Sequence, residues 1–203
     1  MYLEEELKKY NLILASQSPR RNQLLKDMGF SFRNILPENI EEIYPTELKN
    51  EAVAIYLAEL KSEWFKTRIQ HSDIVITADT IVVFNDKVYG KPESRENAIQ
   101  MLKELSGNMH VVYTGVCLYH QKLKHTFFDQ TQVKFKEFTD DEIVYYIDKH
   151  KPYDKAGSYG AQEWLGYIGI HSIKGSYFNV MGLPTHKIYE ELIQFIEKLI
   201  GVK

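Results

Sequence analysis

The sequence predicts a mixed α/β fold, a mixed β-sheet wrapped by helices, and three observations predict it. Segments with strand and helix patterning alternate through the first half of the chain. The run Asp73 to Phe84 is apolar on both pleat faces, as a central strand covered on both sides must be. Met109 to Tyr119 and Lys124 to Phe138 alternate β-branched and aromatic residues and read as a long antiparallel pair. At 203 residues the chain has the length of one domain, or of a single fold with two lobes, and no linker invites a cut. A chain of this size buries about 70% of the surface its unfolded form exposes, enough for a core without staples.

Each element follows from local signals. Leu12 to Ala15 is a short apolar run bounded by serines and reads as a buried strand. Ser18 caps the next helix, Pro19 takes its first position, Leu24, Leu25 and Met28 turn inward, and Gly29 stops it. Ser31 to Leu36 reads as a second strand and Pro37 to Pro45 as an acidic loop. From Glu47 to about Gln70, Val53, Tyr56, Leu57, Leu60 and Trp64 recur at helical spacing. The central strand closes on a turn at Asn85-Asp86 and a short strand to Tyr89. Glu93 to Leu105 is helical and ends at Ser106-Gly107. After the strand pair, Thr139 and Glu142 form a capping box for another helix. A Gly/Ser/Tyr-rich loop spans Pro152 to Gly166, a strand lies near Tyr167 to Ile173, and after Gly182-Leu183-Pro184 an amphipathic helix runs to Ile200.

Composition narrows the function. With 25 basic and 28 acidic residues the net charge is −3, and 26% of residues are charged against 44% hydrophobic. Those values exclude a disordered chain, a collagen-like repeat and a polybasic nucleic-acid binder. The lone Cys117 excludes an internal disulfide and reads as a small buried hydrophobe. Residues 1–10 form a charged extension without the apolar stretch of a signal peptide. No run reaches the length of a membrane span, so a soluble, cytoplasmic protein is expected.

Two places break the rules of their own elements. Asp79 and Thr80 stand in the middle of the most apolar strand, where an unpartnered carboxylate costs several kcal/mol. A carboxylate kept there suits metal binding or proton abstraction. Arg20 and Arg21 occupy the first turn of the helix capped by Ser18, against the helix dipole. Free amides with two arginines beside them make a phosphate cradle, although the glycines and Gly-Lys-Ser/Thr of a P-loop are missing.

Other residues gain weight beside these. Gly90-Lys91-Pro92 presents a lysine in an extended segment, Lys61 lies near the apolar stripe of the long helix, and Glu41 and Glu42 form a second acidic site. Asp154 to Gln162 is a loop rich in small residues that lets backbone approach a ligand. The seven histidines lack zinc-site spacing, and neither a Gly-x-Ser-x-Gly elbow nor a catalytic cysteine is present. Cations for a polyphosphate and carboxylates for a hard divalent ion point to phosphoryl chemistry.

Five motifs then fall in one order. Leu14-Ala15-Ser16-x-Ser18-Pro19-Arg20-Arg21, Ala78-Asp79-Thr80, Gly90-Lys91-Pro92, Asp154-Lys155-Ala156-Gly157-x-Tyr159-Gly160-x-Gln162, and Gly175-Ser176-Tyr177 with Gly182-Leu183-Pro184 together resemble the Maf family of nucleoside triphosphate pyrophosphatases. The resemblance runs over nearly the whole chain. It implies an inosine triphosphatase-like fold with a cleft between two lobes, a divalent cation (Mg2+ or Mn2+) and usually a homodimer. It implies no nucleic-acid or membrane partner beyond the nucleoside triphosphate substrate.

Residue by residue, the resemblance implies Asp79 as the catalytic carboxylate and proton acceptor. It implies Ser16, Ser18, Arg20, Lys61 and Lys91 as substrate-binding positions, and Glu42 with Asp79 as metal positions. Arg21, Thr80 and Gln162 match positions that separate substrate subgroups, and their combination resembles the group acting on dTTP and UTP, including modified pyrimidine nucleotides. The alternatives are a 7-methylguanosine triphosphate pyrophosphatase of the same family and a nucleotide-binding septum regulator with little turnover. Ser62 stands where the family often has alanine, and Trp164 close to Gln162 either narrows the base pocket or packs the lobe.

Overall fold

The computed structural model describes residues 3–201. In chain order the elements begin with α1 (Leu3–Leu7), β1 (Asn11–Leu14), α2 (Pro19–Asp27), β2 (Arg33–Asn34) and α3 (Glu51–Glu63). β3 (Asp73–Phe84), β4 (Lys87–Tyr89), α4 (Arg95–Leu105), β5 (Met109–His120) and β6 (Leu123–Phe135) follow. The remainder is α5 (Asp140–His150), a 3-10 turn at Ala156–Ser158, α6 (Trp164–Gly169), β7 (Ile170–Lys174), α7 (Tyr177–Met181) and α8 (Thr185–Leu199). The strands form a seven-stranded sheet in the order β2-β1-β3-β5-β6-β7, with β4 beside β3. β1 is parallel to β2 and β3, whereas β4 is antiparallel to β3 and β7 to β6, so the sheet is mixed as the sequence predicts.

Contacts divide the chain into two compact units, and β3, β5 and β6 each contribute to both. The first unit holds the residues up to Asp79, Thr114–Asp129, and those from Gly182 onward. Its sheet pairs Leu12 with Ile74 and Leu14 with Ile76. One of its cores joins Ile13, Ala15, Phe65, Ile69 and Val75. The buried face of α3 differs from the predicted stripe. Val53 and Leu57 are buried, but Ala54, Ala58 and Ser62 complete that face, while Tyr56, Leu60 and Trp64 are half-buried. Small residues are needed there because a Cβ on Gly115 would lie 2.3 Å from the Ala54 backbone.

The second unit holds Thr80–Tyr113 and Gln130–Met181. Its core gathers Val82, Leu102, Leu105, Phe135, Phe138 and Tyr146 with their neighbours. The Thr139–Glu142 capping box opens α5 at the predicted residues, whereas α4 starts at Arg95 behind a Ser94 cap, two residues after the predicted Glu93. The turn between β3 and β4 uses left-handed Asn85 (φ 50°) and Asp86 (φ 59°), residue types that tolerate that region.

Several boundaries depart from the sequence reading. The strand expected over Ser31 to Leu36 shrinks to exposed Arg33–Asn34. α3 starts four residues after Glu47 because Asn50 takes a positive φ of 51°, and its helix stops at Glu63. The strand expected from Tyr167 begins at Ile170, since Trp164–Gly169 forms α6. α1 and α7 were not anticipated, and Leu3, inside the charged extension, is fully buried. Among the described residues no helix is long and apolar enough to cross a membrane.

Candidate active site

The first unit builds a loop at the start of α2. Ser16 is buried and its hydroxyl accepts from the Ser18 amide at 3.2 Å. Ser18 caps α2 by accepting from the Arg21 amide at 3.4 Å. Asn22 donates to the Ser18 carbonyl (2.9 Å), and Asn34 donates to the Ser16 carbonyl (2.9 Å) and to Asn22 Oδ1 (3.0 Å). Neither asparagine belongs to a sequence motif: Asn22 reaches back one helical turn to Ser18, and Asn34 meets Ser16 only through the fold.

The two arginines take different environments. Arg20 is half-buried in the first turn of α2. Arg21 donates from Nη1 to the Ala78 carbonyl (2.8 Å) and from Nε to the Gly182 carbonyl (2.7 Å). Loss of water on burial holds its guanidinium below its ordinary value, opposed in part by the charge of Asp79. Arg21 therefore braces the backbone immediately before Asp79.

Asp79, expected as the reactive carboxylate, is 8% exposed and lies on a strand that continues through it. Its partner is Lys61. The Lys61 ammonium sits between two carboxylates, pairing with Asp79 and, at 2.9 Å, with Glu42. The register behind this is explicit. The Thr77 hydroxyl donates to the Ala58 carbonyl at 2.5 Å, locking β3 against α3. Asp79 shares a strand face with Thr77 at i+2, and Lys61 shares a helix face with Ala58 at i+3. Ser62 is accommodated in place of alanine because its hydroxyl donates to the Glu59 carbonyl at 2.7 Å.

Glu42 and Asp79 are hard oxygen donors that already converge on one cation. No group of three or more His, Cys, Asp or Glu among the described residues forms a closed metal cage. Two carboxylates with the remaining positions left to phosphate oxygens and water suit Mg2+ or Mn2+. The donor set fits such an ion.

The second unit carries Thr80, Lys91 and Gln162. Thr80 is half-buried on β3 and Lys91 is exposed. The segment of Lys91 is tied to the small-residue loop, because the Gly157 amide donates to the Gly90 carbonyl at 3.1 Å. Gly157 has φ +67°, and a Cβ there would lie 3.0 Å from Val82, so the position requires glycine. Gln162 Oε1 is shielded from solvent and has no hydrogen-bond partner among the described residues. Buried acceptors are normally paired, and this one keeps its capacity to accept a further hydrogen bond. Trp164 meets Tyr145 edge-on at 4.8 Å and borders the core of this unit, which assigns it to packing.

Comparison with known proteins extends these findings. The sequence profile of the Maf-like protein family matches residues 11–195. A protein of Porphyromonas gingivalis named dTTP/UTP pyrophosphatase is 46% identical over 195 residues, covering 95% of this chain and 98% of its own length. Its counterpart of the same name from Flavobacterium johnsoniae is 47% identical over 194 residues, covering 96% and 100%. Among solved structures, a HAM1 protein from Coxiella burnetii superposes with a TM-score of 0.50 at 14% identity, over 91% of this chain and 99% of that one. That likeness concerns the fold.

Proposed function

We infer, from the premise that this chain belongs to the Maf-like protein family, that it is a nucleoside triphosphate pyrophosphatase acting on dTTP and UTP. The observation that carries this reading is identity of about half along almost the entire chain to relatives of that name, at 46% and 47%. The reaction splits the bond between α- and β-phosphates and yields the monophosphate and pyrophosphate.

The residues divide the chemistry. Asp79, held by Lys61, orients the attacking water and accepts its proton. Arg20 and Lys61 in the first unit, and Lys91 on its Gly-Lys-Pro motif, supply positive charge to the triphosphate and to departing pyrophosphate. Ser16 and Ser18 shape the loop at the α2 N-terminus, whose amides suit an anion. Glu42 and Asp79 would hold a divalent cation, which when bound supplies Lewis-acid neutralisation of phosphate charge. Arg21 sets the backbone that presents Asp79.

Gln162 reads the base. The imide edge of thymine or uracil offers acceptor, donor, acceptor, and an orphan amide oxygen answers the central N–H. Cytosine lacks that N–H and would leave the oxygen unpaired, at about 1–3 kcal/mol. Thr80 shapes the surroundings of the same base. On the resemblance, the protein is proposed to work in the cytoplasm as a homodimer.

Pyrophosphate release from a side-by-side panel of triphosphates, with magnesium or manganese, tests the reading. dTTP and UTP should lead CTP, ATP and GTP. A lead for 7-methylguanosine triphosphate overturns the base assignment alone, and binding without turnover favours the septum regulator.

A further inference from the structure

The turn that carries Gln162 is closed by a network that joins Lys155 and Gly160 of its motif to Tyr146 and Glu163, which lie outside it. Glu163 donates its amide to the Gly160 carbonyl at 3.0 Å, making Gly160 to Glu163 a hydrogen-bonded turn with Gln162 inside it. Both ends of this turn meet one phenol. The Gly160 amide donates to the Tyr146 hydroxyl at 3.0 Å, and that hydroxyl donates to the Glu163 carboxylate. Lys155, 7% exposed, places its ammonium 3.0 Å from Glu163 Oε1 and 2.7 Å from Asp154 Oδ1. Gly160 permits the closure, since a Cβ there would lie 2.8 Å from Glu163 Cδ.

The arrangement leaves little freedom to Gln162. Its own amide oxygen is not consumed by the network and keeps its capacity for a ligand donor. Burial and the neighbouring carboxylate push the Tyr146 phenol upward, so the hydroxyl remains the donor to Glu163. Lys155 supplies the charge without which Glu163 would be an unmatched, largely buried carboxylate.

We propose that Glu163, held by Tyr146 and Lys155, is a positioning residue for base selection: it fixes the backbone of the Gln162 turn so that the amide meets the pyrimidine edge at one distance. This rests on the base-reading role proposed above for Gln162. Freed from the network, the turn lets the amide drift, and the advantage of the correct base shrinks while phosphate chemistry continues.

The test uses the full chain as wild type, Glu163→Ala, Glu163→Gln, Tyr146→Phe and Gln162→Met, assayed for kcat/KM with UTP and CTP well below each variant's Tm. Tyr146→Phe keeps the ring that stacks on His150 and removes only the hydroxyl, so it serves if Glu163→Ala does not fold. Loosening the turn should cut the UTP-to-CTP ratio about tenfold, with CTP turnover nearly unchanged. Glu163→Gln, which still accepts from Tyr146, should recover part of the ratio. Equal losses on both substrates, with a lowered Tm and an intact ratio, would make the network purely structural and overturn the proposal. A wild type that selects and a Gln162→Met variant, lacking the acceptor oxygen, that selects equally well would instead overturn the base-reading role beneath it.

Discussion

In the first unit, charge is concentrated on side chains that can react: Lys61 lies between Glu42 and Asp79, and Thr77 sets the register that brings them together. In the second unit, charge is used on backbone geometry: the Lys155–Glu163 pair and Tyr146 tie down a turn, and the neutral amide oxygen of Gln162 on that turn is left without a partner among the described residues. The two regions thus commit their ionic groups to different ends. A reaction that moves phosphate charge needs cations and carboxylates that can exchange partners. Selection between bases needs a neutral hydrogen-bonding group that cannot move. The contrast predicts that the two functions separate under mutation.

The largest expected effect lies at Asp79. Asp79→Asn keeps the shape and leaves Lys61 paired with Glu42, so the protein should fold. Turnover of dTTP and UTP should fall by about two orders of magnitude or more. Steady-state pyrophosphate release checks it, and near wild-type rates would remove Asp79 from the chemistry.

Next comes Arg20→Ala. A charge-assisted contact to phosphate contributes roughly 1.5–3 kcal/mol, so KM and the inhibition constant for pyrophosphate should both rise about ten- to a hundredfold. Thermal stability should hold or rise slightly, because a cation leaves the positive end of α2. Unchanged catalytic efficiency would return Arg20 to the role of a surface arginine.

A smaller effect concerns the stability of the second unit. His110 is buried with Nε2 2.8 Å from the Tyr159 hydroxyl, and burial pushes its ring down from 6.5 to about 3. The unfolded chain therefore binds a proton first as pH falls. His110 contributes stability above pH 6.5 that is progressively lost toward pH 3. The slope approaches about 1.4 kcal/mol per pH unit. Denaturant titrations over that range should give His110→Gln a flatter dependence than wild type. Parallel curves would contradict the buried neutral histidine.

Much of this molecule is local and was legible as such. The ends of β3, the Ser18 cap and the Thr139–Glu142 box depend on neighbours within a few residues. Asp79 announced itself as a charge in an apolar strand, and Arg20 and Arg21 as cations at the wrong end of a helix. The start of α3 was misplaced because a positive φ at Asn50 overrides a periodic pattern that continues through it. α6 escapes sequence patterning because a glycine in it answers to tertiary contact: a Cβ on Gly169 would lie 2.1 Å from Phe138 Cζ. The least legible part was the support around Gln162. Tyr146 read as an ordinary core aromatic, and only the fold brings its hydroxyl to Glu163.

Measuring kcat/KM for UTP and CTP in parallel on wild type, Lys61→Met and Gln162→Met tests the separation of chemistry from selection most directly. Lys61→Met should lower both values by a common factor of about ten or more and leave their ratio intact. Gln162→Met, which removes the acceptor oxygen, should shrink the ratio about tenfold, chiefly by slowing UTP. A changed ratio in Lys61→Met, or equal losses on both substrates in Gln162→Met, would contradict the account.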